Sequence, residues 1–270
     1  MPTMGIMLGK NSCLKGRLMA SRNPVFSKMN TPVVSDEELA RIVNGPKVAG
    51  QLTVTDVIMK TAAIFALIVV GAYFGWTTAP TNPGLFMFSM IGALVLGLVN
   101  AFKKQVSPAL VLAYGAVEGI FLGALSFWIN ESYGQNIAQQ AVIGTLVAFG
   151  VMLAMYKSQI IRVNGRFMKM FSIAMVSYLV IALASFVSSL FKVGDGWGFY
   201  GMGQLGILLC VAGVGLATFS LVMDFEMITQ AVAAGMPERE SWRMAFGLTV
   251  TLVWLYTEIL RLLAILNGRD

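Results

Sequence analysis

The stretch "GMGQLGILLCVAGVGLATFSLVMDFEMITQAV" (residues 201–232) decides the fold. Its only charged side chains are Asp224 and Glu226, both close to its C-terminal end. About 20 predominantly apolar residues in a helix cross the roughly 30 Å of a bilayer's hydrocarbon core. The stretch therefore predicts a membrane helix, and one that carries a carboxylate where charge is costly.

The rest of the chain has the same character. Of its 270 residues 57% are hydrophobic and only 12% are charged, against about 25% charged in a soluble domain. The apolar runs are too long, and alternate too little, for the strands of a membrane barrel. The composition therefore predicts an all-α integral membrane protein that crosses the bilayer several times.

Counting the apolar runs predicts a seven-helix bundle. The expected spans are residues 57–79, 84–102, 108–129, 137–156, 167–191, 201–232 and 243–266. Residues 1–50 are polar, contain four prolines and show no periodicity, so we expect a mostly disordered basic tail. Residues 51–270 then form the transmembrane domain.

The distribution of Lys and Arg predicts the orientation. The second, fourth and sixth connections are basic, whereas the first and third contain no Lys or Arg. Because cytoplasmic connections carry the excess of positive charge, the N-terminus and the even connections are expected in the cytoplasm. Compact connections without a sorting signal favour a bacterial plasma membrane. The net charge of +6 does not indicate nucleic-acid binding, because no basic patch is interleaved with aromatic residues.

Two acidic residues stand out inside the last two predicted spans. Asp224 and Glu258 flank the polar turn "GMPERES" (residues 235–241). If the turn centres on Ser241 they lie at the same depth, whereas a centre at Glu238 separates them by about 9 Å along the helix axis. Two carboxylates that meet in an apolar site share one proton, and their oxygens suit Ca²⁺. The alternative is separate neutralisation, with Arg261 one turn after Glu258 as its partner.

A third carboxylate lies near the middle of the third predicted span. Glu118 is either a protonated side chain bonded to a neighbouring helix or an additional member of an ion path. The chain has no histidine, and its two cysteines lack metal-ligand spacing. No catalytic constellation is recognisable, so we predict neither an enzyme nor a bound cofactor.

The acidic segments resemble those of a known family. "MDFEMI" (223–228), "LYTEILRLLAIL" (255–266) and "AVEGIFLGALS" (116–126), in this order within seven spans, resemble the Bax inhibitor-1 (transmembrane Bax inhibitor motif) family and its bacterial branch. The resemblance implies that the last helix is surrounded by the other six. It also implies a pH-sensitive calcium leak in which Asp224 and Glu258 share a proton.

The chain departs from the family pattern in four places. The seventh-span residue is Glu258 rather than Asp, and the segment between the acids is about ten residues longer. Lys103 and Lys104 stand where the family usually has an arginine that clamps the acidic pair. Glu118 is acidic where no acid is expected.

Three functions follow from these observations. The first is a calcium leak channel or exchanger gated by the carboxylate pair. The second is a proton-coupled small-molecule transporter with Glu118 and Asp224 as its proton relay. The third is a membrane regulator without transport activity, whose N-terminal tail binds other proteins.

Overall fold

The computed structural model describes residues 50–134, 136–158, 165–193, 198–201 and 203–268, without the side chain of residue 166. The predicted disordered tail, with its role in protein binding, covers residues 1–50, of which residues 1–49 lie outside the described part. Seven helices in that part are long and apolar enough to cross a membrane. The prediction of an all-α, multi-pass membrane protein is therefore confirmed.

The seven helices follow one another along the chain with short connections. They are α1 (Val54–Thr78), α2 (Gly84–Phe102), α3 (Pro108–Tyr133), α4 (Ile137–Lys157), α5 (Gly165–Leu190), α6 (Gln204–Ala233) and α7 (Ser241–Asn267). A 3₁₀ helix, Gly198–Gly201, precedes α6, and another, Glu238–Glu240, precedes α7.

Two helix starts lie three residues from their predicted positions, for local reasons. α1 begins at Val54 because Thr53 forms a capping box with Asp56: the Asp56 amide donates to Thr53 Oγ1 at 3.2 Å, and the Thr53 amide donates to the Asp56 carboxylate at 3.1 Å. This pattern satisfies amides that a helix start leaves unpaired. α6 begins at Gln204, since residues 198–201 form the separate 3₁₀ helix.

Glycines bring α1 and α3 into direct backbone contact. A Cβ on Gly119 would collide with the Ile68 carbonyl, and one on Gly123 with the Ala72 carbonyl. From the other side, a Cβ on Gly75 would meet the Ile120 carbonyl. Gly119 and Gly123 therefore allow close helix packing, and α1 is the helix they pack against.

α3 and α7 are the most buried helices. Half of the apolar window of α3 and 44% of that of α7 are buried, against 11% for α5 and 17% for α2. α7 packs against α1, α3, α4 and α6. This fits a central last helix, and it adds α3 as a second central element.

The second and sixth connections, both rich in Lys and Arg, meet at one end of the bundle, called here the basic end. Arg243 on α7 donates to the carbonyl of Lys104 at 2.7 Å and binds Glu240 at 2.7 Å. Arg239 donates to the carbonyl of Val106 at 3.1 Å. The turn between α6 and α7 thus holds the connection between α2 and α3.

The segment before α1 is fastened to the same turn. The Leu52 amide donates to the Met236 carbonyl at 2.8 Å, and the Glu238 amide donates to the Gly50 carbonyl at 2.9 Å. Lys60 pairs with the Glu238 carboxylate at 3.6 Å, donates to Ser241 and lies 5.4 Å from the centre of the Trp242 ring. Three segments that are distant in sequence therefore hold the basic end together: the one before α1, the one between α2 and α3, and the one between α6 and α7.

Candidate functional site

Glu258 on α7 lies at the centre of a buried polar cluster. It is 3% exposed, and its Oε1 accepts hydrogen bonds from Tyr178 on α5 at 2.7 Å and from Trp254 on its own helix at 3.2 Å. Arg261, one turn later, donates to Oε1 at 3.1 Å and to Oε2 at 3.3 Å. One carboxylate thus accepts from three side chains on two helices.

The cluster continues from Arg261 and Tyr178 to the 3₁₀ helix before α6. The Arg261 guanidinium stacks over the Tyr200 ring at 4.3 Å, a favourable cation–π contact. The Tyr200 hydroxyl is 2.8 Å from that of Tyr178. Burial raises the pKa of Tyr200, so its hydroxyl stays neutral and keeps its proton.

A glycine on α6 makes room for the cluster. A Cβ at Gly213 would lie 2.8 Å from Glu258 Oε2 and would collide with the Tyr178 hydroxyl. Three residues earlier, the buried thiol of Cys210 faces Glu258 and Arg261. α6 therefore approaches Glu258 with small side chains only.

A cavity of about 560 Å³ lies beside the cluster. Its lining extends from Ser189, next to the last residue of α5, to Glu258 and Arg261. The cluster is thus reached from the end of the bundle opposite the basic end, where α5 stops and α6 starts.

Asp224 lies elsewhere, opposite a different part of α7. Its carboxylate interacts with Thr251, which precedes Glu258 by seven residues, or about 10 Å of helix. It is 8% exposed, and its Oδ2 has no hydrogen-bond partner among the described residues. A buried carboxylate oxygen without a partner is energetically costly.

The position of the turn explains this separation. α6 ends at Ala233 and α7 begins at Ser241, so the connection centres on Pro237. Asp224 is 13 residues before that point (237 − 224) and Glu258 is 21 after it (258 − 237), a mismatch of 8 residues or about 12 Å. Of the two turn centres considered from the sequence, the observed one lies next to Glu238, and the two carboxylates lie at different depths.

Glu118 on α3 faces a second cavity of about 370 Å³. The carboxylate is 7% exposed and interacts with Tyr114, one turn earlier on the same helix. Phe121 and Trp254 line the same cavity, and so does Arg261. Arg261 and Trp254 therefore form a wall that the two cavities share.

Of the predicted charge partners, the structure supports one. Arg261 binds Glu258, as the separate-neutralisation alternative predicted. Lys103 and Lys104 are exposed at the end of α2, and it is their main-chain carbonyls that accept from Arg243. In this arrangement the two lysines do not clamp the acids.

The predicted calcium ligands do not form a single site. Asp224 and Glu258 lie at different depths, and Arg261 already binds Glu258 through both of its oxygens. In the described part of the chain, no three His, Cys, Asp or Glu side chains come close enough to hold a metal ion.

Two members of the cluster, Tyr178 and Tyr200, could not be predicted from the sequence. Tyr178 lies in an apolar run and Tyr200 follows the glycine-rich "VGDGWG" connection (193–198). Trp254 is one turn before Glu258, so helical spacing alone was a signal for its hydrogen bond. Glu226, the other acidic residue of α6, accepts from Tyr156 on α4 at 3.1 Å.

Comparison with known protein families identifies the family to which the chain belongs. The family model described as Bax inhibitor 1 like matches residues 23–268, which is 246 of the 270 residues (268 − 23 + 1). The match includes all seven helices and the residues of the cluster. No curated protein matches the chain. The family resemblance predicted from the sequence is thereby confirmed.

Proposed function

We propose that this chain, which belongs to the Bax inhibitor 1-like family, is a pH-sensitive calcium leak across a membrane. The observation that carries the proposal is the buried Asp224 oxygen for which the described residues supply no partner. A carboxylate in that state takes up either a proton or a cation. A pH-sensitive cation path exchanges the same two ligands, protons and cations.

The balance of buried charge supports the same proposal. Three carboxylates lie buried in α3, α6 and α7: Glu118, Asp224 and Glu258. Among the described residues, the guanidinium of Arg261 is the only cationic group within the spans that binds one of them. Two negative charges therefore remain to be neutralised by protons or by passing cations.

Glu258 and Arg261 are the proposed pH-sensitive contact. Acid protonates Glu258, removes its negative charge and releases Arg261, which already borders the cavity that contains Glu118. The leak therefore increases as the pH falls. In this proposal Asp224 and Glu258 act at two depths of one path, in place of the shared proton expected from the family resemblance.

The test is calcium flux in vesicles. The purified protein is reconstituted in liposomes loaded with a calcium dye, and flux is measured at a series of pH values against protein-free vesicles. We expect flux that is higher at acidic than at alkaline pH. Flux equal to that of protein-free vesicles at every pH would refute the proposal.

A second candidate function rests on the cavity that contains Glu118. A carboxylate beside the rings of Tyr114, Phe121 and Trp254 has the chemistry that binds organic ammonium ions. That arrangement favours a proton-coupled transporter of small organic cations. In the same vesicles, uptake of a labelled organic amine that is driven by a pH gradient and lost in Glu118→Gln would favour it over the calcium leak.

A further inference from the structure

The hydroxyls of Tyr200 and Tyr178 form a chain that ends on Glu258. The Tyr178 hydroxyl donates to Glu258 Oε1 at 2.7 Å. Because a tyrosine has only one hydroxyl proton, the 2.8 Å contact between the two hydroxyls must have Tyr200 as its donor. Both hydrogen bonds therefore point in one direction, towards the carboxylate.

The start of this chain lies outside the membrane-spanning helices. Tyr200 belongs to the 3₁₀ helix between α5 and α6, at the end of the bundle opposite the basic end. It lines the 560 Å³ cavity together with Ser185 and Ser189 of the last two turns of α5. Glu258 itself is nine residues, or about 14 Å of helix, from the end of α7.

Apart from the 560 Å³ cavity, which Glu258 itself lines at the same end of the bundle, the routes to Glu258 are blocked by the groups around it. The titratable or charged groups that face it within the described residues are Tyr178 of α5, Tyr200 of the 3₁₀ helix, Cys210 of α6 and Arg261 of α7. Arg261 repels an approaching proton, and it separates Glu258 from the cavity of Glu118. Towards the basic end, the large buried side chains of Leu255, Leu248 and Phe246 occupy α7.

We propose that Tyr200 and Tyr178 are a proton relay that connects Glu258 to the water at the end opposite the basic end. The inference rests on the proposed function in that it names the side from which pH is sensed. A proton from water binds to Tyr200 Oη, the proton of Tyr200 passes to Tyr178 Oη, and the proton of Tyr178 passes to Glu258 Oε1. Three O–H bonds break and three form, and neither tyrosine becomes charged at the end of the transfer.

Trp254 provides a direct optical reading of this transfer. Its indole N–H donates to the same Oε1 atom at 3.2 Å, so its fluorescence responds when Glu258 gains a proton. The chain has five tryptophans. The signal of Trp254 is isolated by replacing the other four tryptophans with Phe. Alternatively, the signal of the Trp254→Phe variant is subtracted from that of the native chain, and this second method requires no other substitution.

The experiment is a one-sided pH jump. Vesicles are sorted by an N-terminal tag into those with the basic end outside and those with it inside, and external acid is added in a stopped-flow instrument. We expect a fast Trp254 response only where the end opposite the basic end faces the acid. Tyr178→Phe and Tyr200→Phe should each slow that response about a hundredfold, the lower range for loss of a positioned proton-transfer group.

A matched control is Tyr156→Phe. Tyr156 also donates from a half-buried position to a glutamate, Glu226, but lies outside the proposed relay, so its removal should leave the Trp254 response unchanged. An unchanged response in both relay variants, or an equally fast response to acid at the basic end, would overturn the inference.

Calcium flux recorded in the same vesicles separates the two proposals. A relay that responds as expected in vesicles without calcium flux refutes the proposed leak and leaves the relay intact. A pH-dependent leak whose onset is unchanged by both tyrosine substitutions refutes the relay and leaves the leak intact.

Discussion

Glu258 and Arg261 show how a membrane helix carries an ion pair. They are one turn apart on α7, and the guanidinium spans both carboxylate oxygens at 3.1 and 3.3 Å. The Glu258 side chain is 4% exposed, whereas that of Arg261 is 29% exposed. If the contact is broken, the carboxylate therefore becomes the more deeply buried unpaired charge.

A double-mutant cycle measures this contact. Glu258→Gln should destabilise the protein by about 1–3 kcal/mol, below the 3–5 kcal/mol typical of fully buried pairs because Arg261 retains access to solvent. Combining it with Arg261→Gln should cost less than the sum of the two single changes. Thermal unfolding in detergent gives the three values, and strict additivity would show that the two side chains do not interact.

In the proposed leak, Asp224 belongs to the cation path rather than to the pH-sensitive contact. Asp224→Asn should therefore lower calcium flux about tenfold, the effect of losing roughly 1.4 kcal/mol of interaction, and leave the direction of the pH dependence unchanged. The matched control is Glu226→Gln, two residues later on α6, whose carboxylate already accepts from Tyr156 and Gln230. Equal flux in native and Asp224→Asn vesicles would remove Asp224 from the path.

The sequence indicated some members of the site and not others. Spacing along a helix predicted the contact between Glu258 and Arg261, because residues three apart share a face. The contact with Tyr178 was not predictable, since it depends on how α5 lies against α7. The relative depth of Asp224 and Glu258 stayed open for a similar reason: it depended on whether residues 238–240 belonged to the turn or to α7, which composition alone did not decide.

Among the elements, the contact between α1 and α3 depends on glycines, which have no side chain. Gly115, Gly119 and Gly123 recur every four residues on one face of α3, and the backbone of α1 fills the space that their side chains would occupy. Such close approach allows extensive van der Waals contact in a lipid environment, where apolar burial alone does not drive helices together.

Gly119→Ala tests this packing. The added methyl group meets the Ile68 backbone, which cannot move without shifting α1, so we expect a loss of about 1–3 kcal/mol. Gly150→Ala on α4 is the matched control, because nothing lies within 4 Å of its Cβ position and both changes gain the same helix propensity. Thermal unfolding of both variants in detergent measures the difference. A Gly119→Ala protein as stable as Gly150→Ala would contradict the assigned packing.

Helix number and length followed from hydropathy, but helix ends required local chemistry. The seven apolar runs were sufficient to predict the spans, because a bilayer demands a fixed length of apolar helix. The early start of α1 follows from the Thr53 capping box. The late start of α6 follows from Gly203, whose φ of +59° interrupts the helix.

At the scale of the whole molecule, the bundle has two different ends. The basic end is held together by Arg243, Lys60 and the segment around Leu52. The other end contains the Glu258 cluster and the larger cavity. The distribution of Lys and Arg predicts that the basic end faces the cytoplasm, and this orientation stays a prediction that tag accessibility in whole cells can test.

The most direct test of the proposed leak compares the pH dependence of calcium flux in native and Glu258→Gln vesicles. Gln keeps the shape of the protonated side chain but cannot lose a proton, so Arg261 stays released at every pH. We predict that native flux rises as the pH falls, and that Glu258→Gln flux is high and independent of pH. A variant whose flux rises with acid as steeply as that of the native chain would contradict the assignment of Glu258 as the pH-sensitive group.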